Sequence, residues 1–218
     1  RNVFNPAAAG MAVVTHCFST RLFLYPDPSL NAPLALSGDL GKALTEMSPA
    51  AQLAGGGSPT YSWAELAIGR FPGPIGATAI AVLIACAVYL FSRRTASPWI
   101  TLPYLAVCAL SAVLFPRVVG GWQNSVLLEL CSGYLLFAGI FLMTDPVTAP
   151  RYWLGRILYG ALGGALAMAL RYHGRFEAGA CFAVLIVNAF APVIDRWSWR
   201  LVHGLGALMK KARGGSAA

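Results

Sequence analysis

The sequence predicts an all-α integral membrane protein with about six transmembrane helices. Two observations lead to this fold class: the composition, and six apolar segments whose lengths suit a bilayer. Hydrophobic residues make up 57% of the 218 residues and charged residues 11%, with a mean hydropathy of +0.64. A soluble domain carries about a quarter charged residues, so the composition excludes an ordinary soluble fold and also intrinsic disorder.

Each apolar segment is a candidate helix, since a bilayer core needs about 20 mostly apolar residues. The segments are 7–24, 75–92, 98–115, 125–144, 157–170 and 178–194. The fourth contains a glutamate and two glycines, and the fifth is short. These two helices are therefore expected to be tilted, broken or buried in protein.

The distribution of Lys and Arg predicts the orientation in the membrane. If Arg1 is cytoplasmic and all six segments cross, most of the basic residues fall on the cytoplasmic side. We therefore expect a multi-pass protein of the bacterial inner membrane with a cytoplasmic C-terminus. The net charge of +8 comes from 16 basic and 8 acidic residues, so it reflects a shortage of acidic residues and not an excess of basic ones. No nucleic-acid partner is therefore expected.

Four regions follow from this arrangement. Residues 1–25 form one helix, and residues 26–70, rich in Pro, Gly and Ser, form a polar loop on the outer face. Residues 71–196 hold the other five helices. Residues 197–218 form a basic, amphipathic tail, which is expected to lie on the anionic cytoplasmic leaflet.

Metal and hydrolytic chemistry have little support in the sequence. The five cysteines lie in apolar stretches without C-x-x-C spacing, so no disulfide or zinc site is predicted. They are either small packing residues or ligands of an intramembrane metal or cluster shared with a partner chain. His16 has no second histidine at matching depth for a haem. No nucleophile triad, phosphate loop or carboxylate pair is present, and no catalytic residue is predicted.

Polar residues within apolar segments are costly and need a reason. Asn5, before Pro6, either caps the first helix or leaves amide donors free for an anionic or carbonyl group. Glu129 either relays a proton, attracts a cation, extends its carboxylate to the bilayer interface, or pairs with Arg117 or Arg171.

Residues 144–150, Thr-Asp-Pro-Val-Thr-Ala-Pro, are the densest polar cluster. The two prolines prevent a continuous helix, so we predict an ordered, partly non-helical stretch near the cytoplasmic boundary. Its carbonyls and hydroxyls either line a cavity or contact a cofactor, or the stretch is a turn in which Asp145 caps the next helix.

Two further sets of residues stand out. Gly76 and Thr78 belong to a glycine-lined approach to the second segment, where a ring system or another helix can come close. Asn188 is expected to make an interhelical hydrogen bond, and Asp195 to cap a helix or form a salt bridge.

Five motifs together resemble the RnfD/NqrB family, the membrane subunits of the Rnf and sodium-pumping NADH:quinone oxidoreductase complexes. The motifs are FNPAA at 4–8, GPIGAT at 73–78, FLMTDPVTAP at 141–150, GRILYG at 155–160 and FAVLIVNAFAPVID at 182–195. The resemblance implies a ten-helix fold of two inverted five-helix repeats. The first segment is then the last helix of the first repeat, the other five are the second repeat, and the chain is a C-terminal portion of a longer protein.

The resemblance also implies a flavin. Family members esterify the phosphate of flavin mononucleotide (FMN) to a Thr in a Ser-Gly-Ala-Thr motif, but residues 37–40 here read Ser-Gly-Asp-Leu. The family's Gly-Glu-Thr-Ser likewise becomes Gly-Ala-Thr-Ala at 76–79. We therefore expect no covalent flavin, and at most non-covalent FMN or riboflavin. Its predicted binding residues are Gly76, Thr78, Thr144, Asp145 and Thr148.

Polar residues outside this set are assigned an ionic or structural role: Asn5, Glu129, Asn188 and Asp195. The function implied is that of a membrane subunit of an ion-translocating electron-transport complex, with other membrane subunits and the lipid bilayer as partners. The alternatives are a cofactor-free structural or assembly subunit, and a small-solute channel.

Overall fold

The computed structural model shows a helical chain, as the composition predicts. It describes residues 2–23, 25–26, 45–46, 48–57, 59, 61–118, 121–174 and 178–214, with side chains of the last helix to residue 203. Residues 27–44 of the predicted 26–70 loop, which include Ser37 and Asp39, lie outside the described residues.

Nine helices are present in the described part of the chain. They are α1 Pro6–Leu22, α2 Pro49–Ala54, α3 Trp63–Ile68, α4 Ile80–Ser92, α5 Pro98–Leu114, α6 Trp122–Cys131, α7 Leu135–Phe137, α8 Trp153–His173 and α9 Gly179–Gly214. A π-helical turn, Ala138–Leu142, follows α7 directly. Two-residue strands, β1 Tyr25–Pro26 and β2 Thr45–Glu46, pair antiparallel.

Two of these helices are long and apolar enough to cross a membrane: α8, and Gly179–His203 of α9. A bent pair, α6 with Leu135–Leu142, is a third if it counts as one span. α1, α4 and α5 are shorter apolar helices. The assignment of these helices to one repeat of an inverted pair remains a prediction.

The fourth predicted segment is broken, as expected. α6 and the following helix meet at 67°. The break lies at Gly133, whose φ of +67° is in the left-handed region that favours glycine. The fifth segment is longer than predicted, because α8 continues past Arg156 and Arg171, where the sequence pattern stops. Both guanidinium groups are hydrogen-bonded inside the protein, which allows the helix to include them.

The main core lies between α5, α8 and α9. α5 and α8 run in the same direction, since their first turns meet at Trp99 and Trp153. Glycines of α8 let the two backbones approach: a Cβ on Gly164 would lie 2.5 Å from the Tyr104 carbonyl oxygen. This is the close packing that a small-residue face provides in a membrane protein.

A second apolar cluster joins α4 and the broken helix to two short helices within the predicted polar loop. α2 and α3 each have six residues, and they bury Leu53 and Leu66 in this cluster. Ser48 caps α2, and Ser62 caps α3. Helices of six residues are too short to give a periodic apolar pattern, so the sequence does not predict them.

The last helix passes through the predicted boundary at 196–197 without a break. Pro192 lies inside α9 and has no N–H, so the Asn188 carbonyl loses its usual partner four residues later. Asp195 is therefore within a helix and does not cap α9. The residues predicted as a separate tail begin as a continuation of the same helix.

Candidate functional site

Residues 144–151 form an ordered turn between the π-helical turn and α8, which we call the polar turn. Asp145 organises it: Oδ1 accepts the Val147 N–H at 3.1 Å, and Oδ2 accepts the Thr148 hydroxyl at 3.3 Å. The Asp145 carbonyl accepts the N–H groups of Thr148 and Ala149. Asp145 thus stabilises its own turn and does not cap α8, whose N-cap is Tyr152.

Three contacts fix the polar turn to the helices around it. The Arg156 Nε donates to the Pro150 carbonyl at 3.0 Å, and Nη1 of the same side chain donates to Ser97 Oγ at 3.3 Å. The Arg151 N–H donates to Asp195 Oδ1 at 2.8 Å. Asp195 therefore binds a backbone amide of the turn, and it forms no ion pair among the described residues.

Asn5 ties α1 to the same region. Its Oδ1 accepts the N–H groups of Ala7 and Ala8 at 2.9 and 3.2 Å, so it caps α1. Its Nδ2 donates to the Leu142 carbonyl at 3.1 Å, one of the carbonyls that the end of the π-helical turn exposes. Because the Asn5 side chain occupies those two amides, the capping interpretation is the better one.

Two open cavities flank the polar turn. The first, of about 710 Å³, lies between the end of α4 and the start of α5, and we call it the α4–α5 cavity. Its walls include Arg94, Trp99, Thr144, Pro146 and Arg156. Arg94 lies two residues after the end of α4 and has a φ of +55°, and the described residues provide no partner for its guanidinium group.

The second cavity, of about 760 Å³, lies along one face of α9, and we call it the α9 cavity. Its walls are Asn2, Val3, Val147, Thr148, Arg151, Tyr152, Asn188, Ala191, Pro192, Asp195, Arg196, Trp199 and Arg200. Val147 and Arg151 line both cavities. The polar turn is therefore a wall that the two cavities share.

The five residues predicted to hold a flavin do not form one site. Thr144 lines the α4–α5 cavity and Thr148 the α9 cavity. Gly76 and Thr78 precede α4, whereas the α4–α5 cavity is at its other end. The 13 residues of α4 separate the two groups by about 20 Å at 1.5 Å per residue.

The glycines before α4 have a local explanation. Gly76 has a φ of +82°, which a turn at this point requires. A Cβ on Gly73 would lie 2.7 Å from the Thr78 methyl group, and a Cβ on Gly69 would lie 2.9 Å from the Thr78 carbonyl carbon. Gly69 and Gly73 therefore make room for Thr78 and its backbone, whereas a Cβ on Gly76 would meet open space.

Asn188 makes the predicted interhelical hydrogen bond: its Oδ1 accepts the hydroxyl of Tyr159 on α8. The Asn188 Nδ2 is buried and has no partner in the described part of the chain. Asn188 is also one of the residues that line the α9 cavity.

A second polar cluster lies at the opposite end of α5 and α8. Glu129, fully buried, pairs through Oε1 with Arg117 at 2.6 Å and through Oε2 with Arg171 at 2.6 Å. Arg171 also donates to the Ser132 hydroxyl and to its carbonyl oxygen at 3.2 Å. The Arg117 guanidinium lies 4.4 Å from the centre of the Tyr172 ring. The pairing interpretation of Glu129 is confirmed, with both arginines at once.

Sequence reasoning misses most of the cavity walls. In the sequence, Arg94, Arg151, Arg196 and Arg200 count only toward membrane orientation. Trp99 and Trp199 lie at the ends of apolar segments, where aromatic rings are typical of the headgroup level of a bilayer. One signal in the sequence could have predicted the wall of the α9 cavity. The three- and four-residue spacing places four of its residues on one helical face: Asn188, Pro192, Arg196 and Trp199.

Comparison with known proteins identifies the family. The NQR2, RnfD, RnfE family matches residues 1–204. A subunit of the Na(+)-translocating NADH-quinone reductase of Chromohalobacter salexigens is 32% identical over 205 residues, which cover 90% of this chain and 48% of that protein. A subunit of an ion-translocating oxidoreductase complex of Halorhodospira halophila is 31% identical over 158 residues, 71% of this chain and 44% of that protein.

A more distant relative is a subunit of a proton-translocating ferredoxin:NAD(+) oxidoreductase complex of Clostridium ljungdahlii, 23% identical over 207 residues. That match covers 94% of this chain and 62% of the relative. The chain thus spans about half the length of the curated relatives it matches. The family match extends over all the helices that position the two cavities and the Glu129 cluster. The chain therefore belongs to the NQR2, RnfD, RnfE family.

Proposed function

We propose that this chain is a membrane subunit of an ion-translocating electron-transport complex. The observation that carries the proposal is the family match over residues 1–204, which includes the polar turn and both cavity walls. The relatives' names assign them to such complexes, with Na(+) in one case and a proton in another. In this proposal the C-terminus is cytoplasmic, the polar turn and both cavities face that side, and other membrane subunits of the complex are the partners.

We propose further that the α4–α5 cavity holds a non-covalent flavin. Its volume of about 710 Å³ falls within the range of about 300–1,000 Å³ typical of small-molecule sites. An isoalloxazine ring presents carbonyl oxygens and ring nitrogens as acceptors, and the Arg94 guanidinium supplies donors that the described residues leave unused. Trp99 adds an aromatic surface to the wall. A bound flavin supplies the redox chemistry.

The residues around this cavity bind and orient. Arg156, held by the Pro150 carbonyl and by Ser97 Oγ, fixes a second positive charge in the wall. The Thr144 hydroxyl donates to the Ile140 carbonyl, which leaves its own oxygen free to accept. Two guanidinium groups beside a flavin favour the form of the ring that carries more negative charge.

The experiment compares flavin content between complexes. The full-length protein is purified in its complex, flavin released by acid is quantified, and the reduced-minus-oxidised spectrum is recorded. Arg94→Gln and Trp99→Ala should each lower the released flavin, while Arg93→Gln, at an exposed neighbour outside both cavities, should not. Under ultraviolet light on a denaturing gel this subunit should stay dark. Unchanged flavin in both cavity variants would exclude the α4–α5 cavity as the site.

A second function, as a cofactor-free structural subunit, is favoured by one sequence observation. Asp39 and Leu40 stand where the family's ester motif places Ala and Thr, and Ala77 stands where it has Glu. A structural subunit requires only the helix packing already described. This second function would be established if the assembled wild-type complex contains no more flavin than its other subunits carry by themselves, and if the complex fails to assemble when this subunit is omitted.

A further inference from the structure

The α9 cavity has a positive wall. Arg151, Arg196 and Arg200 line it against a single carboxylate, Asp195. Asp195 Oδ1 accepts the Arg151 backbone N–H, and within the described residues none of the three guanidinium groups is in an ion pair. Guanidinium groups bind phosphate and carboxylate oxygens with planar, paired hydrogen bonds. The wall is therefore suited to an anion.

One residue of the same cavity wall, Asn188, carries a buried neutral donor. Asn188 is 1% exposed, and its Nδ2 has no hydrogen-bond partner in the described part of the chain. Its Oδ1 is already used by the Tyr159 hydroxyl. Buried polar atoms of folded proteins nearly always have partners, so an acceptor oxygen from a ligand would complete this site.

The spacing between the anion wall and this donor constrains the ligand. The Arg196 Nε donates to the Pro192 carbonyl at 3.4 Å, which holds its guanidinium beside the turn of α9 at Pro192. Asn188 lies one helical turn away, about 6 Å along the axis. The ligand therefore carries an anionic group and, a few bonds away, an uncharged oxygen that accepts a hydrogen bond.

The rest of the wall is apolar or aromatic. Val3, Val147 and Ala191 line it beside Tyr152 and Trp199. The cavity runs along Gly179–His203, the part of α9 that is long and apolar enough to span a membrane. Tryptophan and tyrosine are typical of the headgroup level of a bilayer. These features favour a ligand that enters from the membrane.

We propose that the α9 cavity binds an anionic glycerophospholipid. Its phosphate lies at Arg151, Arg196 and Arg200, one of its ester carbonyls accepts from the Asn188 Nδ2, and its acyl chains follow the apolar wall. A soluble phosphate would supply the anion without the ester oxygen or the acyl chains. This site does not depend on whether the α4–α5 cavity holds a flavin.

The test measures which lipids stay with the protein. The full-length protein in its complex is exchanged into detergent containing equal amounts of phosphatidylglycerol and phosphatidylcholine, and bound lipid is counted by native mass spectrometry. We expect the wild type to retain phosphatidylglycerol. The double variant Arg196→Gln/Arg200→Gln should lose about tenfold or more of that affinity, because two charge-assisted contacts are removed. The control, Arg93→Gln, removes an exposed arginine from outside the cavity and should behave as wild type.

Two further arms separate the sources of the phosphate. Arg196 and Arg200 are exposed, so the double variant should fold, and Asn188→Leu tests the ester contact independently. Asn188→Leu should weaken the binding of phosphatidylglycerol but leave the binding of inorganic phosphate unchanged. Equal retention of the two lipids, equal losses in the double variant and the Arg93→Gln control, or displacement of the lipid by millimolar inorganic phosphate would each overturn the proposal.

Discussion

Glu129→Gln is the substitution with the largest expected effect on stability. The Glu129 carboxylate is fully buried between Arg117 and Arg171, whose side chains are 21% and 10% exposed. The glutamine keeps the shape of the side chain but removes its charge, so two neighbouring guanidinium groups lose their counter-ion. Removing one partner of a buried ion pair costs about 3–5 kcal/mol. Since Arg117 is partly solvated, we expect the lower part of that range.

The two arginines should differ in a predictable way. Arg171 is the more buried and also binds the Ser132 hydroxyl and carbonyl, next to the break in the fourth segment. Arg171→Gln should therefore destabilise more than Arg117→Gln. The double variant Glu129→Gln/Arg171→Gln should cost less than the sum of the single substitutions, because the charge left unpaired by one is removed by the other.

The assay is reversible unfolding in mixed micelles, followed by far-ultraviolet circular dichroism. Glu65→Gln is the matched control: Glu65 is exposed, and glutamine also serves in the capping box that it forms with Ser62. That control should stay within about 0.5 kcal/mol of wild type. A Glu129→Gln protein that unfolds within about 1 kcal/mol of wild type would show that water screens the cluster, and would refute the reasoning.

Three other predictions concern single features. Gly164→Ala places a Cβ within 2.5 Å of the Tyr104 carbonyl oxygen and should lower the free energy of unfolding by about 1–3 kcal/mol in the same assay. The control, Gly10→Ala, places its Cβ in open space, so the free energy of unfolding should stay the same or rise by up to about 1 kcal/mol. Asp145→Ala removes both acceptors of the polar turn and should lower complex yield, whereas Asp145→Asn keeps one acceptor and should recover much of it; equal yields would show the turn to be insensitive to its side chain. The Ser62 backbone N–H and hydroxyl hold the pKa of Glu65 below its usual 4.5. The contribution of the Glu65 carboxylate to the stability of α3 is therefore present above pH 4.5 and is lost as the pH falls through the lower pKa of the folded state. A pH titration of the NMR chemical shifts of the α3 amides, in wild type and in Glu65→Gln, tests this.

The sequence predicts the fold class and the approximate helices because apolar length is a local property. The break at Gly133 and the role of Asn5 as a cap are also local, since each depends on residues within a few positions. The pairing of Glu129 was among the predicted alternatives because both arginines are the nearest bases at that end of the helices. The sequence alone could not rank that pairing above a proton relay.

The candidate site was predicted less well, because it depends on which helix ends meet. The family resemblance groups Gly76 and Thr144 in one flavin site, but α4 separates them along its whole length. Arg94 and Arg196 carry no motif, and only the packing of the polar turn against α4, α5 and α9 reveals them as walls of cavities. Asn188 shows both cases: its hydrogen bond across helices was predicted, but its unused donor was not.

The polar turn gives the two cavities a common wall, and this has a thermodynamic consequence. Val147 and Arg151 contribute to both sides. The Val147 N–H donates to Asp145 within the turn, and the Arg151 N–H donates to Asp195 on α9. A ligand that shifts this wall from one side changes the affinity on the other side, and linkage requires the effect to be equal in both directions. If the α9 cavity binds the proposed lipid, the lipid composition of the membrane changes the affinity of the α4–α5 cavity for its own ligand. The size of this coupling depends on how far the polar turn moves when a ligand binds.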